Sequence, residues 1–449
     1  MVWMVICGGL AILVQAGFAL FDTGLCRAKN AAHVMSTSFL VFALSATGFF
    51  VSGFALMGGA AGNGPGNPGM ATGAGLIGSS GFFLAGVGQN SLALSRFVCL
   101  LAFITIAAGI PTGALAERWN AKGAMLFSLL VGAIVFPVYG FWIWGNGWLA
   151  HLNWGHGVVD FAGAGAMHLQ GGSIALVTAM LLGPRIGKFD PDGQPRAILG
   201  HHLPMVFMGT LILAAGWFGL TVATALSAPD GRVGIVAANA ILAAVAGALG
   251  SAGYMALRFG KPDPSMMCNG MLAGLVAIAA PCAFVQPWAA FLIGLIAGLL
   301  VVLSIFFWEN RGVDDPVGAI SVHGISGFWG MLALGLFADG SYGNGYNGIA
   351  SPVGGLFYGA GASQLLAQTI GAAVCVAWNV LIGGLLFWLV GRFIGGNRVP
   401  ASVEIAGLDI PEVGAPGYPE FITSTSPEQI GSAELVAARG TVRQLAKAN

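Results

Sequence analysis

Charge is what this 449-residue chain has least of: Asp, Glu, Lys and Arg make up 8% of it, where an average soluble domain carries about 25%. So thin a polar coat excludes a soluble enzyme and a disordered chain. Seventeen Lys and Arg cancel seventeen Asp and Glu. No net field draws in DNA, RNA or an anionic surface, and a nucleic-acid binder is excluded too. Cysteine builds no framework: Cys7, Cys26, Cys99, Cys268, Cys282 and Cys375 are scattered without a CxxC or His-rich spacing, so neither a disulfide scaffold nor a zinc site is expected. The N-terminus lacks a basic n-region and a small-residue cleavage site before its apolar run. It reads as a first membrane span, not a signal peptide.

What remains is apolar: 57% of the residues are hydrophobic and the mean hydropathy is +0.84. About 20 apolar residues cross hydrocarbon, and eleven such runs fall at roughly 2–24, 36–58, 93–115, 122–145, 158–182, 203–226, 233–257, 266–284, 286–308, 317–337 and 363–391. The runs are long, rich in Leu, Ala and Gly, and lack the ten-residue alternation of barrel strands. The expected class is an all-α polytopic membrane protein of eleven transmembrane helices. Its 73 glycines suggest helices in close backbone contact.

Basic residues give the orientation. Alternate connections, starting after the first span, hold Arg27, Lys29, Arg118, Lys122, Arg185, Lys188, Arg196, Arg258, Lys261 and Arg311; the other set holds only Arg96 and Arg232. The first set is read as cytoplasmic, with the N-terminus out and the C-terminus in. Arg392, Arg398, Arg439, Arg443 and Lys447 follow on the same side. This divides the chain into a transmembrane domain, 1–391, and a polar cytoplasmic tail, 392–449, carrying Pro400, Pro411, Pro416 and Pro419. The loops 59–90 and 338–362 are placed outside. The first contains Gly64-Pro65-Gly66-Asn67-Pro68-Gly69, which spells GxGxxG but has neither the preceding strand nor the following helix of a dinucleotide site.

An internal repeat supplies the candidate site. Asp160-FAGAGAM-His168 and Asp315-PVGAISV-His323 share Gly at +3, Ala at +4 and His at +8, with small residues after each histidine. The histidines lie five spans apart, so the two copies run in opposite directions, the arrangement of an inverted 5+5 repeat with its site near the midplane. Each histidine is expected roughly 7–10 residues into its helix, about 10–15 Å deep. An ionisable group in hydrocarbon is costly and marks function; the competing accounts are buried histidines satisfied by neighbouring polar groups, and axial ligands of a haem. His33, His151, His156, His201 and His202 fall at span ends or in loops and are expected to be solvated. Asp160 and Asp315 are read as helix N-caps, with Asp160 also placed to help a cation shed water. Glu117 and Arg118 are expected in interhelical salt bridges. Trp142, Trp144 and Trp148 read as an aromatic belt or a cation–π wall, and Phe103 as core or gate.

These residues resemble the ammonium transporter (Amt/Mep/Rh) family, on its Amt branch. The resemblance runs through AGFALFDTGLCRAKN after the first span, GALAER, DFAGAGAMHLQGG leading to GPR, LPMVFMGT, GWFG, DDPVGAISVHG and GLDIPEVG in the tail. It implies a multi-pass cell-membrane transporter, not an enzyme, without cofactor or metal, assembled as a homotrimer of eleven-helix protomers with a pore in each. It implies that His168 and His323 are paired pore histidines sharing a hydrogen bond, with Trp217 and Leu220 also lining the pore. Trp144, Phe103, Asp160 and Thr224 are implied for the outer ammonium-recruitment site. The chain departs from the family at Leu220, where an inner gating phenylalanine is usual, and at Cys99, where many members have an aromatic. Ala164, Met167 and Val413 are smaller departures.

The mechanism implied is recruitment of ammonium, its deprotonation, and conduction of ammonia with net proton transfer, methylammonium being the expected analogue. The tail resembles the family's regulatory C-terminus, for which a PII-type protein is the implied partner. Three alternatives stay open: an ammonium sensor with little flux, a passive ammonia gas channel, and a haem-binding electron carrier.

Overall fold

In hydrocarbon an unpaired backbone amide or carbonyl costs several kcal/mol, so an apolar run of this length satisfies itself as a helix. The computed structural model describes residues 1–59, 75–225, 232–344, 349 and 351–420. The GxGxxG loop and the tail beyond residue 420 lie outside the described residues. Among the described residues ten helices are long and apolar enough to cross a membrane: α1 (Val2–Leu25), α2 (Ala28–Leu56), α3 (Ser91–Leu115), α4 (Ala121–His151), α5 (Ala164–Leu182), α6 (Leu203–Ala223), α7 (Val233–Phe259), α9 (Pro287–Asn310), α10 (Ile320–Phe337) and α11 (Ser363–Ile394). An eleventh, α8 (Pro264–Ile278), is shorter. Among the described residues β-pairing is limited to isolated bridges. The fold is all-helical and polytopic, with apolar side chains such as Val5, Phe39, Met180, Leu257 and Phe393 exposed on its outside.

Three boundaries differ from those expected. α2 begins at Ala28, not near 36, because its polar first turns are held by the tail: Asp409 Oδ1 accepts from the His33 amide at 2.9 Å. His33 is therefore buried, at 2% exposure, and not solvated as its place near a span end suggested. α8 stops at Ile278, and residues 279–284 form turns around Pro281, which cannot donate to a helical ladder. α5 starts at Ala164 and not at 158, for reasons that belong to the site.

Packing repeats with a shift of five helices. α2 lies along α4 as α7 lies along α9; α3 lies along α5 as α8 lies along α10; α1 pairs with α6, and α5 with α10. α11 stands outside the scheme, packed on α10, α4 and α5. The direction reverses between halves. Asp314, just before α10, bonds Arg185, just after α5, at 2.9 Å, so α10 enters the bundle where α5 leaves it.

One end of the bundle gathers the basic residues. Glu117 pairs with Arg27 at 2.5 Å and Arg185 at 3.3 Å, and the fully buried Arg118 lies 3.9 Å from Asp314 while donating to the Gly183 and Asp314 carbonyls. These are the interhelical bridges expected of Glu117 and Arg118. The described part of the tail crosses this end as a docked strap. Asn397 O accepts from the Asn120 amide, Val399 N donates to Arg118 O, Glu412 accepts from the Ala121 amide, and His201 Nε2 meets the Tyr418 hydroxyl at 2.6 Å. A short tail helix, α12 (Ala401–Ala406), presents Glu404 to Arg398 at 2.8 Å.

Burial works against the Asp314 carboxylate, yet the Arg185 guanidinium, by charge and hydrogen bond, and then Arg118 hold it at about 2. Burial opposes Glu117 as well, and Arg185 followed by Arg27 outweighs it. A depressed carboxylate contributes stability that is present above its unfolded pKa, about 3.9, and lost as pH falls through the folded value. Asp314→Asn should therefore lower the unfolding midpoint at neutral pH, the loss corresponding to about 3–5 kcal/mol for a broken buried pair. Thermal melts followed by tryptophan fluorescence from pH 7 to pH 2 check this: the gap between wild type and variant should close at the acid end.

Candidate functional site

α5 and α10 begin inside the bundle, not at its surface, and this decides where the histidines sit. Before α5 the chain is non-helical from 158 to 163 and turns at Gly163, whose φ is 92°. That left-handed angle suits glycine, which has no Cβ to clash. Four amides at the helix start then point at Asp160: Gly163 and Ala164 bond Oδ1 at 2.9 Å, Gly165 and Ala166 bond Oδ2 at 2.9 and 2.8 Å. The second copy repeats the device. Gly318 has φ 84°, and Asp315 accepts from the Gly318 amide at 3.1 Å and the Ile320 amide at 2.7 Å. Each helix then opens with a π-helical turn, Ala164–Leu169 and Ile320–Ile325, which carries the histidine. The histidines are thus closer to their helix starts than expected. They are deep because the starts themselves are.

The two helices touch backbone to backbone at Gly172, one turn beyond His168, and Gly324, next to His323. A Cβ added at Gly172 would lie 2.1 Å from the Gly324 nitrogen, so neither side chain nor water separates them there. His168 and His323, at 0% and 3% exposure, meet through their Nδ1 atoms at 3.2 Å. One ring must donate and the other accept, so at least one imidazole carries no proton at Nδ1. Nitrogens in hydrogen-bond contact leave no plane for a porphyrin between the rings, and the axial-ligand reading fails on that geometry. The Trp217 indole stacks on His168 with centroids 4.5 Å apart and planes at 16°, and Phe18 meets His323 edge-on at 5.7 Å. Leu220, one helical turn beyond Trp217 on α6, is fully buried. Two polar atoms in this group are buried with no protein partner: His168 Nε2 and Trp217 Nε1. A buried polar group left unpaired costs about 1–3 kcal/mol, so the arrangement suits a small polar guest that both accepts and donates.

Trp144 lies beside the start of α5, at the end of that helix opposite Arg185. Its Nε1 donates to Asp160 O at 2.7 Å, and its ring lies 5.7 Å from that of Phe103. Trp142 belongs elsewhere, packing on Trp148 and Trp378 at 5.8 and 5.1 Å and donating to Leu76 O. Trp144 and Phe103 therefore form one aromatic pair, apart from the group of Trp142, Trp148 and Trp378. The Asp160 carboxylate is saturated by its four amides, so its contact role is to cap the helix. Thr224, at the C-terminal end of α6, turns its hydroxyl onto Thr221 O at 2.6 Å. Cys99 is buried with its thiol 3.0 Å from Met4 O.

Two polar residues of the bundle interior, Asp22 on α1 and Asn269 on α8, went unremarked in the sequence. The signal for Asp22 was present: a carboxylate in the middle of an apolar run. Asn269 carries no such mark.

The family model described as Ammonium Transporter Family matches residues 2–418. An Archaeoglobus fulgidus protein named ammonium transporter Amt2 is 46% identical over 94% of this chain and 88% of its own length. A solved structure titled Sensor Amt Protein superposes with a TM-score of 0.81 at 32% identity, covering 92% of this chain and 97% of that one. Saccharomyces cerevisiae Mep2 gives a TM-score of 0.74 at 26% identity, over 86% and 83% of the two chains.

Asp160→Ala would strand four amides in an apolar interior, each costing on the order of 1–3 kcal/mol. The variant should fail to yield a folded, monodisperse protein in detergent. Asp160→Asn, which keeps one acceptor oxygen, should fold with a clearly lowered melting midpoint; size-exclusion chromatography and thermal melts read both.

Proposed function

Because the chain belongs to the ammonium transporter family, we propose that it carries ammonium across a cell membrane as ammonia plus a proton, through a pore built on His168 and His323. The observation that supports this most directly is the buried imidazole pair in Nδ1 contact, with one outward nitrogen and a neighbouring indole N–H unused. The basic end of the bundle is taken to face the cytoplasm, following the positive-inside rule. Ammonium then enters from the Trp144 end, where the Trp144 and Phe103 rings offer the cation–π attraction worth about 0.5–2 kcal/mol. A full charge at mid-membrane costs about 2.5–3.5 kcal/mol even on the mildest scales, and neutral ammonia avoids that cost. The imidazoles accept from and donate to ammonia and relay the proton separately, a task suited to a side chain whose ordinary pKa is about 6.5. Thr224 is assigned to the recruitment site, Trp217 and Leu220 to the pore wall.

A homotrimer is the proposed assembly, the exposed apolar faces giving each protomer surface to bury. Residues 392–449 are assigned as the regulatory tail, with a PII-type protein as its proposed partner at the basic end. The likeness to the structure titled Sensor Amt Protein favours one second reading, an ammonium sensor with little flux. A passive gas channel, with Leu220 in place of a gating ring, would move ammonia without current.

Proteoliposomes given an ammonium jump separate these readings. A sustained inward current that grows with ammonium is expected, falling at least tenfold in His168→Ala/His323→Ala. Tight ammonium binding without current would replace the transporter reading with the sensor, and ammonia entry without current would favour the gas channel.

Trp144→Leu should raise the half-saturating ammonium concentration roughly 2- to 30-fold, the equivalent of losing the cation–π term. The current–concentration curve measures it. An unchanged curve would remove Trp144 from the recruitment site.

A further inference from the structure

α1 carries a carboxylate inside the bundle for which the histidine mechanism has no use. Asp22 is 2% exposed and accepts one side-chain hydrogen bond, from Thr112 Oγ1 at 3.1 Å; the same hydroxyl lies 2.6 Å from Gly109 O. One shared hydroxyl is thin support for a buried carboxylate, which needs several donors or a counter-charge. Asp160, with four amides, illustrates the difference. Asp22 instead borders a small cavity whose wall includes Phe18, Val317, Asn269 and His323, with no Lys or Arg. The cavity lies between the histidine pair and the basic end, and holds about one water-sized molecule.

Asn269 makes the second, independent observation. It is 4% exposed, and its Oδ1 is buried without a partner. Asp22, with one shared donor, and Asn269, with an unpartnered oxygen, thus share a cavity bounded by His323. The nearest further carboxylate, Asp315, is committed to the amides of its own helix start. The arrangement suits a small species that brings only N–H donors.

We infer that Asp22 and Asn269 form an inner site at which ammonia leaving the histidine pair takes up a proton and is held as ammonium before release. This rests on the transport reading above. In the acid form the Asp22 O–H bond breaks, its proton goes to the lone pair of ammonia, and a fourth N–H bond forms. The result is an ammonium–carboxylate pair, with Asn269 Oδ1 accepting a second N–H. Ammonium then leaves to water. The carboxylate regains a proton from the one released when ammonium was deprotonated at the Trp144 end, delivered through the imidazoles. Each cycle moves one nitrogen and one proton and returns Asp22 unchanged.

The test compares full-length wild type, Asp22→Asn, Asp22→Glu and Asn269→Leu in liposomes. Two readouts are taken together: current after an ammonium jump, and alkalinisation of the lumen above that of protein-free liposomes, which neutral ammonia produces and ammonium does not. Asp22→Asn should lose at least tenfold in current and gain an alkalinisation that wild type, moving a proton with each nitrogen, does not give; Asp22→Glu should recover most of the current and lose the alkalinisation. A purely structural role would lower the current with no gain of alkalinisation. Asn269→Leu, which leaves the carboxylate in place, should cut current at least threefold with some alkalinisation gained; it keeps the test open if Asp22→Asn does not assemble. Currents within twofold of wild type in both Asp22→Asn and Asn269→Leu would overturn the inference while sparing the transport reading. A wild type without current would overturn the transport reading, and this one with it.

Discussion

The crossing of α5 and α10 at Gly172 and Gly324 is the constraint on which the interior depends. Helices in lipid gain nothing from hiding apolar surface from one another, since the surrounding chains are equally apolar; they associate through close contact. Here the contact is backbone on backbone, with no room for a Cβ at Gly172. His168 lies one turn before the crossing and His323 beside it, so the approach of the backbones sets the approach of the imidazoles. A wider crossing would leave the rings apart and admit water between them. The stack of Trp217 on His168 then fixes the ring planes that the crossing has brought together.

The same two helices share a second problem and solve it in one way. A helix that starts within the bundle exposes its first amides to an apolar surround, where each is expensive. An aspartate precedes each start, a left-handed glycine turns the chain toward it, and the amides fold onto the carboxylate. The π-helical turn that follows is the form often found where a helix serves a site. The first amides of both helices are thereby paired. Among the buried polar atoms without a partner, His168 Nε2, Trp217 Nε1 and Asn269 Oδ1 lie beside the histidines and the cavity below them.

Much of this was legible in the chain because hydrophobicity writes membrane spans plainly. The eleven helices, the reversed repeat of Asp160–His168 in Asp315–His323 and the capping role of both aspartates follow from run length, spacing and residue type. The start of α2 was not legible, because apolarity ends where a partner begins. The polar turn around His33 is helical only because Asp409, far along the sequence, caps it. The beginning of α5 was hidden for a related reason. An apolar run does not announce a break when glycine and a carboxylate supply the turn. Burial of His33 and the isolation of Trp144 from Trp142 and Trp148 are likewise tertiary facts, set by which neighbour each ring meets. Asp22 is legible as a lone carboxylate, though the apolar run around it masks its polarity.

The docked tail carries a consequence for how the molecule is made. Lys29 Nζ bonds Glu404 O, the His33 amide bonds Asp409 and Leu408 N bonds Asn30, pairs 375 to 378 residues apart in sequence. These are among the most distant contacts a chain of this length can form, and none is available until nearly the whole polypeptide has left the ribosome. The first turns of α2, and the amides after α3, therefore wait uncapped through most of synthesis, and the basic end closes only when residues 397–418 arrive. The strap thus acts as a mark of completeness: a chain released early keeps open helix ends at the basic end of the bundle.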